Sequence, residues 1–152
     1  MNERVPRDDD VRLGALEDTV AFFLRSAHDA ASQAFAQRSA DLGAAPGEYA
    51  TLTIIAENAG ITQGQVSAAT GRHMSTLTPI LRRLEERGWI ARTPVPTDRR
   101  TSALALTAAG ERRLRELALL AADHERELDR IIGKQRKAEF VRILRRISTL
   151  MP

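Results

Sequence analysis

One change of period, at Gly88, constrains this chain more than any other feature. Upstream of it, short helical patterns follow one another, each closed by a glycine; downstream the pattern alternates. The first short pattern covers 47–59, with Tyr49, Leu52, Ile55 and Ala56 on one face and Gly60 as its stop. Thr62 opens the next: Thr62 with Gln65 makes a capping box, and Gly71 closes the helix. A further helix is expected over 75–87, ending at Gly88. Its residues Met74, Leu77, Leu81 and Leu84 step by 3, 4 and 3 toward a core. With Ser75 as N-cap, Pro79 becomes the fourth helical position and costs one backbone hydrogen bond near the start. Beyond Gly88, Trp89, Ile90 and Ala91 read as a strand. Pro94, Pro96, Thr97 and Asp98 form a turn, and Thr101 to Leu106 a second strand with Leu104 and Leu106 on one face. Three short helices followed by a hairpin make the winged helix-turn-helix plan, with its turn at Gly71, Arg72 and His73.

Helical stripes flank this module on both sides. Residues 11–40 read as one long helix with apolar positions at Leu13, Leu16, Val20, Phe23, Ala27, Ala31 and Ala34. Thr107 caps another helix whose stripe is Leu114, Leu117, Ala121, His124, Leu128 and Ile131. Gly133 breaks it, and a last helix carries Phe140, Leu144, Ile147 and Met151. A small winged module cannot cover both stripes, which predicts a homodimer whose helical dimerisation region comes from both termini. The expected organisation is a flexible 1–10, a dimerisation region from 11–44 and 111–152, and a winged helix-turn-helix over 45–110. The fold class is mainly α with a small β-hairpin wing.

Charge is distributed unevenly. Residues 1–71 hold 5 basic and 10 acidic side chains, net −5, whereas residues 72–115 hold 10 and 4, net +6. Of 23 cations, 21 are arginine, whose planar fork matches phosphate and guanine edges bidentately where lysine cannot. The chain has no cysteine, which excludes disulfides, thiolate metal sites and thiol redox sensing. His28, His73 and His124 lie far apart and make no metal site. There is no glycine-rich phosphate loop and no nucleophile elbow, so neither an enzyme nor a cofactor is expected. No apolar run is long enough to span a bilayer, and Met1 to Asp10 lacks the apolar centre of a signal peptide. A cytoplasmic protein with no membrane partner is the expectation.

In a winged helix-turn-helix the second helix enters the major groove N-terminal end first. The face of 75–87 opposite its apolar stripe starts with small hydroxyl residues and turns cationic: Ser75, Thr76, Thr78 and Pro79, then Arg82 and Arg83. Small residues allow approach to base edges, and a helix N-terminus itself attracts phosphate. Asp98, Arg99 and Arg100 sit at the hairpin tip. Arginine there suits a narrow minor groove, with Asp98 as its orienter. With Arg72 and His73 in the turn, these eleven residues are the candidate contacts to double-stranded DNA. The competing reading is a winged-helix module that binds protein instead of DNA.

Several runs resemble the multiple-antibiotic-resistance regulator (MarR) family. They are Ser75-Thr76-Leu77-Thr78-Pro79, Leu84-Glu85-Glu86-Arg87-Gly88-Trp89-Ile90, Asp98-Arg99-Arg100 and Leu106-Thr107-Ala108-Ala109-Gly110. The resemblance covers about 47–115 by motif and the whole chain by element order. It implies a homodimeric, ligand-responsive transcription factor, usually a repressor, on a pseudo-palindromic operator. The Ser-Thr-Leu-Thr-Pro run is similar to the family's organic-hydroperoxide regulators, but their sensing cysteine is absent here, so that mechanism is unavailable. The family's aromatic-acid ligands direct attention to Arg25, His28 and Tyr49. Arg25 and His28 are three residues apart on one helix face; Arg25 is suited to a carboxylate, and Tyr49 and Phe23 to an apolar slot. The effector that the resemblance implies is a small anionic aromatic acid, its coenzyme A thioester or an antibiotic, with no effector as the remaining alternative.

Overall fold

The computed structural model describes residues 11–95 and 98–151, with the side chains of all of these except 95 and 98–101. The chain divides into two compact units, 1–34 and 35–152. The first contains a 3-10 turn, Gly14–Leu16, and most of helix α1, Val20–Arg38. A single helix over 11–40 is therefore not what forms. Gly14 takes a positive φ of 58°, and the Thr19 hydroxyl bonds back to the Ala15 carbonyl, so α1 starts only at Val20. At its other end a second 3-10 turn, Ala40–Leu42, closes on Gly43 in the left-handed region. Residues 1–10, expected to be flexible, lie outside the described residues.

The second unit continues with α2 (Glu48–Glu57), strand β1 (Ile61–Thr62), α3 (Gln63–Thr70), α4 (Met74–Glu86), β2 (Ile90–Val95), β3 (Asp98–Leu106), α5 (Ala108–Ile132) and α6 (Lys134–Leu150). The fold is mainly helical with a small antiparallel sheet, as the sequence implied. The sheet has three strands in the order β1-β3-β2, one more than the hairpin read from sequence. The added strand pairs Ile61 with Leu104, while Ile90 pairs with Leu106 across the wing. Pro94 is not in the turn: it lies in β2 opposite Ser102. Trp89 precedes the strand. Pro96 and Thr97 lie outside the described residues.

One core joins these elements. Leu52 and Ile55 of α2, Val66 of α3, Leu77, Ile80, Leu81 and Leu84 of α4, Ile90, Leu104 and Leu117 of α5 are buried together. Ala56, expected on the core face of α2, is exposed; that face instead includes Glu48 and Thr51. Thr62 caps α3 through a complete capping box with Gln65, and Gly71 ends it at a φ of 64°. Both follow from local chemistry, because the cap satisfies amides that the first turn leaves free.

The start of α5 explains the Leu-Thr-x-x-Gly run. Thr107 Oγ1 accepts from the Gly110 amide (3.0 Å) and donates to the Gly88 carbonyl (2.6 Å), while the Thr107 amide donates to the Trp89 carbonyl (3.1 Å). One threonine thus caps α5 and ties it to the corner where the wing leaves α4. The helix then passes so close to that corner that a Cβ on Gly110 would stand 1.9 Å from the Trp89 oxygen. Only glycine fits there without movement.

A buried ion pair fastens α5 to α2. Arg113 Nε donates to Glu48 Oε1 at 2.6 Å, with the two side chains 6% and 0% exposed. Glu48 Oε2 accepts the Ala45 amide at 3.1 Å, and the Arg113 guanidinium lies 4.6 Å from the Trp89 ring centroid. Further along, Lys137 of α6 reaches Asp129 at 2.6 Å and Glu125 at 2.8 Å on α5. Those hydrogen bonds, to Asp129 first and then Glu125, raise the ammonium above the ordinary lysine range. Neither α1 nor α6 has a buried residue. Of the terminal stripes, Val20 and Phe23 of α1, Ile131 of α5, Phe140 of α6 and Met151 are exposed, whereas Leu117 of the α5 stripe lies in the core and Leu114 packs against it. No described helix is long and apolar enough to cross a membrane.

Candidate nucleic-acid interface

Helix α4 divides into two faces. Leu77, Ile80, Leu81 and Leu84 are buried, whereas Ser75, Thr76, Thr78, Pro79 and Arg82 are exposed. The outward face agrees with the sequence reading. The inward one needs a correction, since Met74, expected in the core, is 46% exposed and Ile80 takes the buried place. The cause is where the helix begins. His73, not Ser75, is the N-cap, so Met74 is the first helical residue and lies before the turn that the core covers. Pro79 is accordingly the sixth helical residue rather than the fourth. The bond it cannot make falls on the carbonyl of exposed Ser75, where water can replace it.

His73 makes no side-chain cap bond, and its carbonyl accepts the Thr76 and Leu77 amides at 3.0 Å each. The helix dipole makes this end of α4 attractive to an anion such as phosphate. Arg82 stands in solvent in a loose 3.5 Å pair with Glu86, at 75% and 65% exposure, and is available to a partner. Arg83 is half-buried, with its Nε enclosed and unpaired. Arg72 folds back toward α2: a Cβ on Gly47 would lie 2.9 Å from its guanidinium carbon. The backbone of Asp98, Arg99 and Arg100 opens β3 beside the end of β2. Their side chains lie outside the described residues.

A group that sequence reading missed ties the wing to α4. Arg92 of β2 donates from Nε to Glu85 of α4 (2.9 Å) and from Nη1 to Gln63 Oε1 at the start of α3 (3.4 Å). Gln63 Nε2 donates in turn to Thr78 Oγ1 at 2.7 Å. The alternation of β2 puts Arg92 on the same face as Ile90, but nothing local connects it to Gln63, 29 positions earlier.

The candidate ligand residues divide between the two units. Arg25 and His28 are both exposed on α1. Tyr49 is half-buried on α2, packed against the core and 6.2 Å from the Phe35 ring. The His124 ring of α5 lies 5.6 Å from the Phe35 ring at a tilt of 55°, and its Nδ1 lies 3.3 Å from Arg38 Nη1. Among the described residues no group of three or more histidine, aspartate or glutamate side chains could hold a metal.

A helix-turn-helix whose second helix is apolar inward and hydroxylic, then cationic, outward, followed by a wing, is the winged helix-turn-helix arrangement that DNA-binding regulators use. Comparison with known proteins narrows the class. The MarR family model matches residues 45–102. The transcriptional regulator HosA of Escherichia coli is 31% identical over 101 residues, 66% of this chain and 74% of HosA. A Thauera aromatica protein assigned as transcriptional regulator for the hcr operon is 27% identical over 135 residues, 88% of this chain and 81% of that protein. Among solved structures, the transcriptional repressor CouR bound to a 23-mer DNA duplex is similar with a TM-score of 0.82 at 26% identity, covering 91% of this chain and 98% of that one. CouR from Rhodococcus jostii bound to p-coumaroyl-CoA has a TM-score of 0.76 at 25% identity, covering 88% and 94%. The chain belongs to the MarR family and is a transcriptional regulator, not an enzyme.

Proposed function

We propose that the chain works as a homodimer on a pseudo-palindromic operator, with residues 45–110 binding DNA and 11–44 with 111–152 forming the dimer. Helix α4 enters the major groove, and Arg99 or Arg100, oriented by Asp98, enters the adjacent minor groove. The observation that carries this reading is the face of α4, where five of the candidate contacts, from Ser75 to Arg82, are exposed together. The uncovered apolar side chains of α5 and α6 support the dimer. A gel shift with DNA from upstream of the protein's own gene tests the DNA reading. Specific retardation is expected; retardation equal to that of unrelated DNA overturns it in favour of a protein partner.

The regulator is a repressor released by a small anionic aromatic ligand or its coenzyme A thioester. Support comes from two solved structures named CouR, one bound to a DNA duplex and one, from Rhodococcus jostii, bound to p-coumaroyl-CoA. Such a ligand acts only through its differential affinity for a DNA-incompetent arrangement. Exposed Arg25 is the proposed carboxylate contact, with His28 on the same helix. Titrating aromatic acids and their thioesters against the protein–DNA complex should release DNA from wild type and require more ligand for Arg25→Ala. Equal release from both proteins removes Arg25 from the role.

A further inference from the structure

We infer that Gln63, outside the reading helix, sets what Thr78 reads: it leaves the Thr78 hydroxyl able to accept but not to donate, selecting an exocyclic amino group, adenine N6 or cytosine N4, at one position of each half-site. This rests on α4 reading DNA as proposed above.

Hydrogen-bond polarity decides which end of the Gln63 amide faces Thr78. A guanidinium only donates. Arg92 gives its Nε hydrogen to Glu85 at 2.9 Å, which fixes the guanidinium, and presents Nη1 to the Gln63 amide at 3.4 Å. The amide must therefore turn its oxygen to Arg92, which leaves its nitrogen on Thr78 Oγ1, at 2.7 Å. Thr78 cannot donate to that nitrogen. Its one hydroxyl hydrogen goes instead to the Met74 carbonyl, at 2.8 Å. A hydroxyl carries one donor and two lone pairs. With the donor and one lone pair engaged, a single lone pair faces outward from an exposed side chain on the face that meets the groove. In the major groove, guanine offers N7 and O6 and thymine O4, all acceptors; adenine and cytosine each offer an amino donor. Threonine without this constraint turns its hydroxyl to suit either kind of edge. Here the bond chain from the wing through Gln63 removes that freedom.

The test selects bound sequences from a randomised duplex pool with wild type, Gln63→Leu and Thr78→Val, each first checked for a cooperative thermal transition. Wild type should favour adenine or cytosine over guanine and thymine at one position per half-site, by roughly three- to tenfold for a single hydrogen bond. Gln63→Leu and Thr78→Val should each level that position while the preferences at other positions persist. If Gln63→Leu does not fold, Gln63→Ala replaces it, because it too removes the amide from the Thr78 hydroxyl and should level the same position. A preference for guanine or thymine at the position altered by Thr78→Val overturns the inference, as does an unchanged preference in the folded Gln63 variant. Those outcomes leave DNA reading by α4 intact. Wild type that selects no sequence refutes that reading, and the inference with it.

Discussion

Replacing Gly110 by alanine should destabilise this protein, although the same change stabilises most helices. Gly110 lies in the first turn of α5, and alanine there gains about 1 kcal/mol of helix propensity over glycine. The added Cβ would lie 1.9 Å from the Trp89 oxygen and 2.8 Å from its carbonyl carbon. Relaxed carbon–oxygen contacts lie at about 3.3–3.6 Å, so the two backbones must separate by roughly 1.4 Å. No side chain can swing away, because the obstacle is main chain. Overpacking of this kind costs about 1–3 kcal/mol and occasionally more. Separation also breaks the 3.1 Å bond from the Thr107 amide to that same oxygen, a further loss of about 1 kcal/mol. The net expectation is a loss of roughly 1–3 kcal/mol, or about 2–12 °C in thermal midpoint for a chain of this size. The assay is circular-dichroism melting at one fixed protein concentration, since a dimer's midpoint depends on concentration. A midpoint equal to or above wild type refutes the close approach of α5 to Trp89.

Three further outcomes are expected. Arg113→Met strands the fully buried Glu48 carboxylate with only the Ala45 amide, and should cost about 3–5 kcal/mol in urea unfolding; a loss below about 1 kcal/mol contradicts the pair's role in fastening α5 to α2. Arg82→Ala should weaken operator binding by about 1–3 kcal/mol and relax preference at one position per half-site; a loss that is uniform across sequences assigns Arg82 to phosphate. Replacing Arg99 and Arg100 together by alanine should weaken binding and flatten the slope of log affinity against log salt by roughly 0.9 for each phosphate the wing neutralises; an unchanged slope takes the wing tip out of the interface.

Local chemistry was legible and long-range chemistry was not. Thr62, Gln65 and Gly71 announce α3 because a cap is a contact within one turn, and Thr107 announces α5 for the same reason. The outward face of α4 was legible because its hydroxyls and arginines recur at helical spacing. Its inward face was misread by one step: Met74 and Ile80 both continue an apolar stripe, and only the position of the N-cap chooses between them. Pro79 pulled the expected start to Ser75, yet α4 tolerates it as the sixth residue because the orphaned carbonyl is exposed. Strand β1 was invisible, since two residues carry no period and its partner is Leu104. The same holds for Glu48 with Arg113 and for Gln63 with Arg92. Each reads singly as a surface charge or amide, and only the packing of α2 on α5, or of the wing on α3, reveals the pair. Gly110 falls between these cases: its place in a motif was legible, and its reason, the Trp89 backbone, was not.

The central claim is that two α4 helices, held by one dimer, read two half-sites together. The direct measurement is binding to a series of operators in which the half-sites are moved apart. Half-sites about ten base pairs apart, one turn of duplex, lie on the same side of the DNA. Inserting about five base pairs turns one half-site to the opposite face. The account predicts that this insertion reduces affinity to that of a single half-site, measured by fluorescence anisotropy at constant salt. Affinity indifferent to the insertion would mean that each copy binds alone, and the dimeric reading of DNA would be wrong.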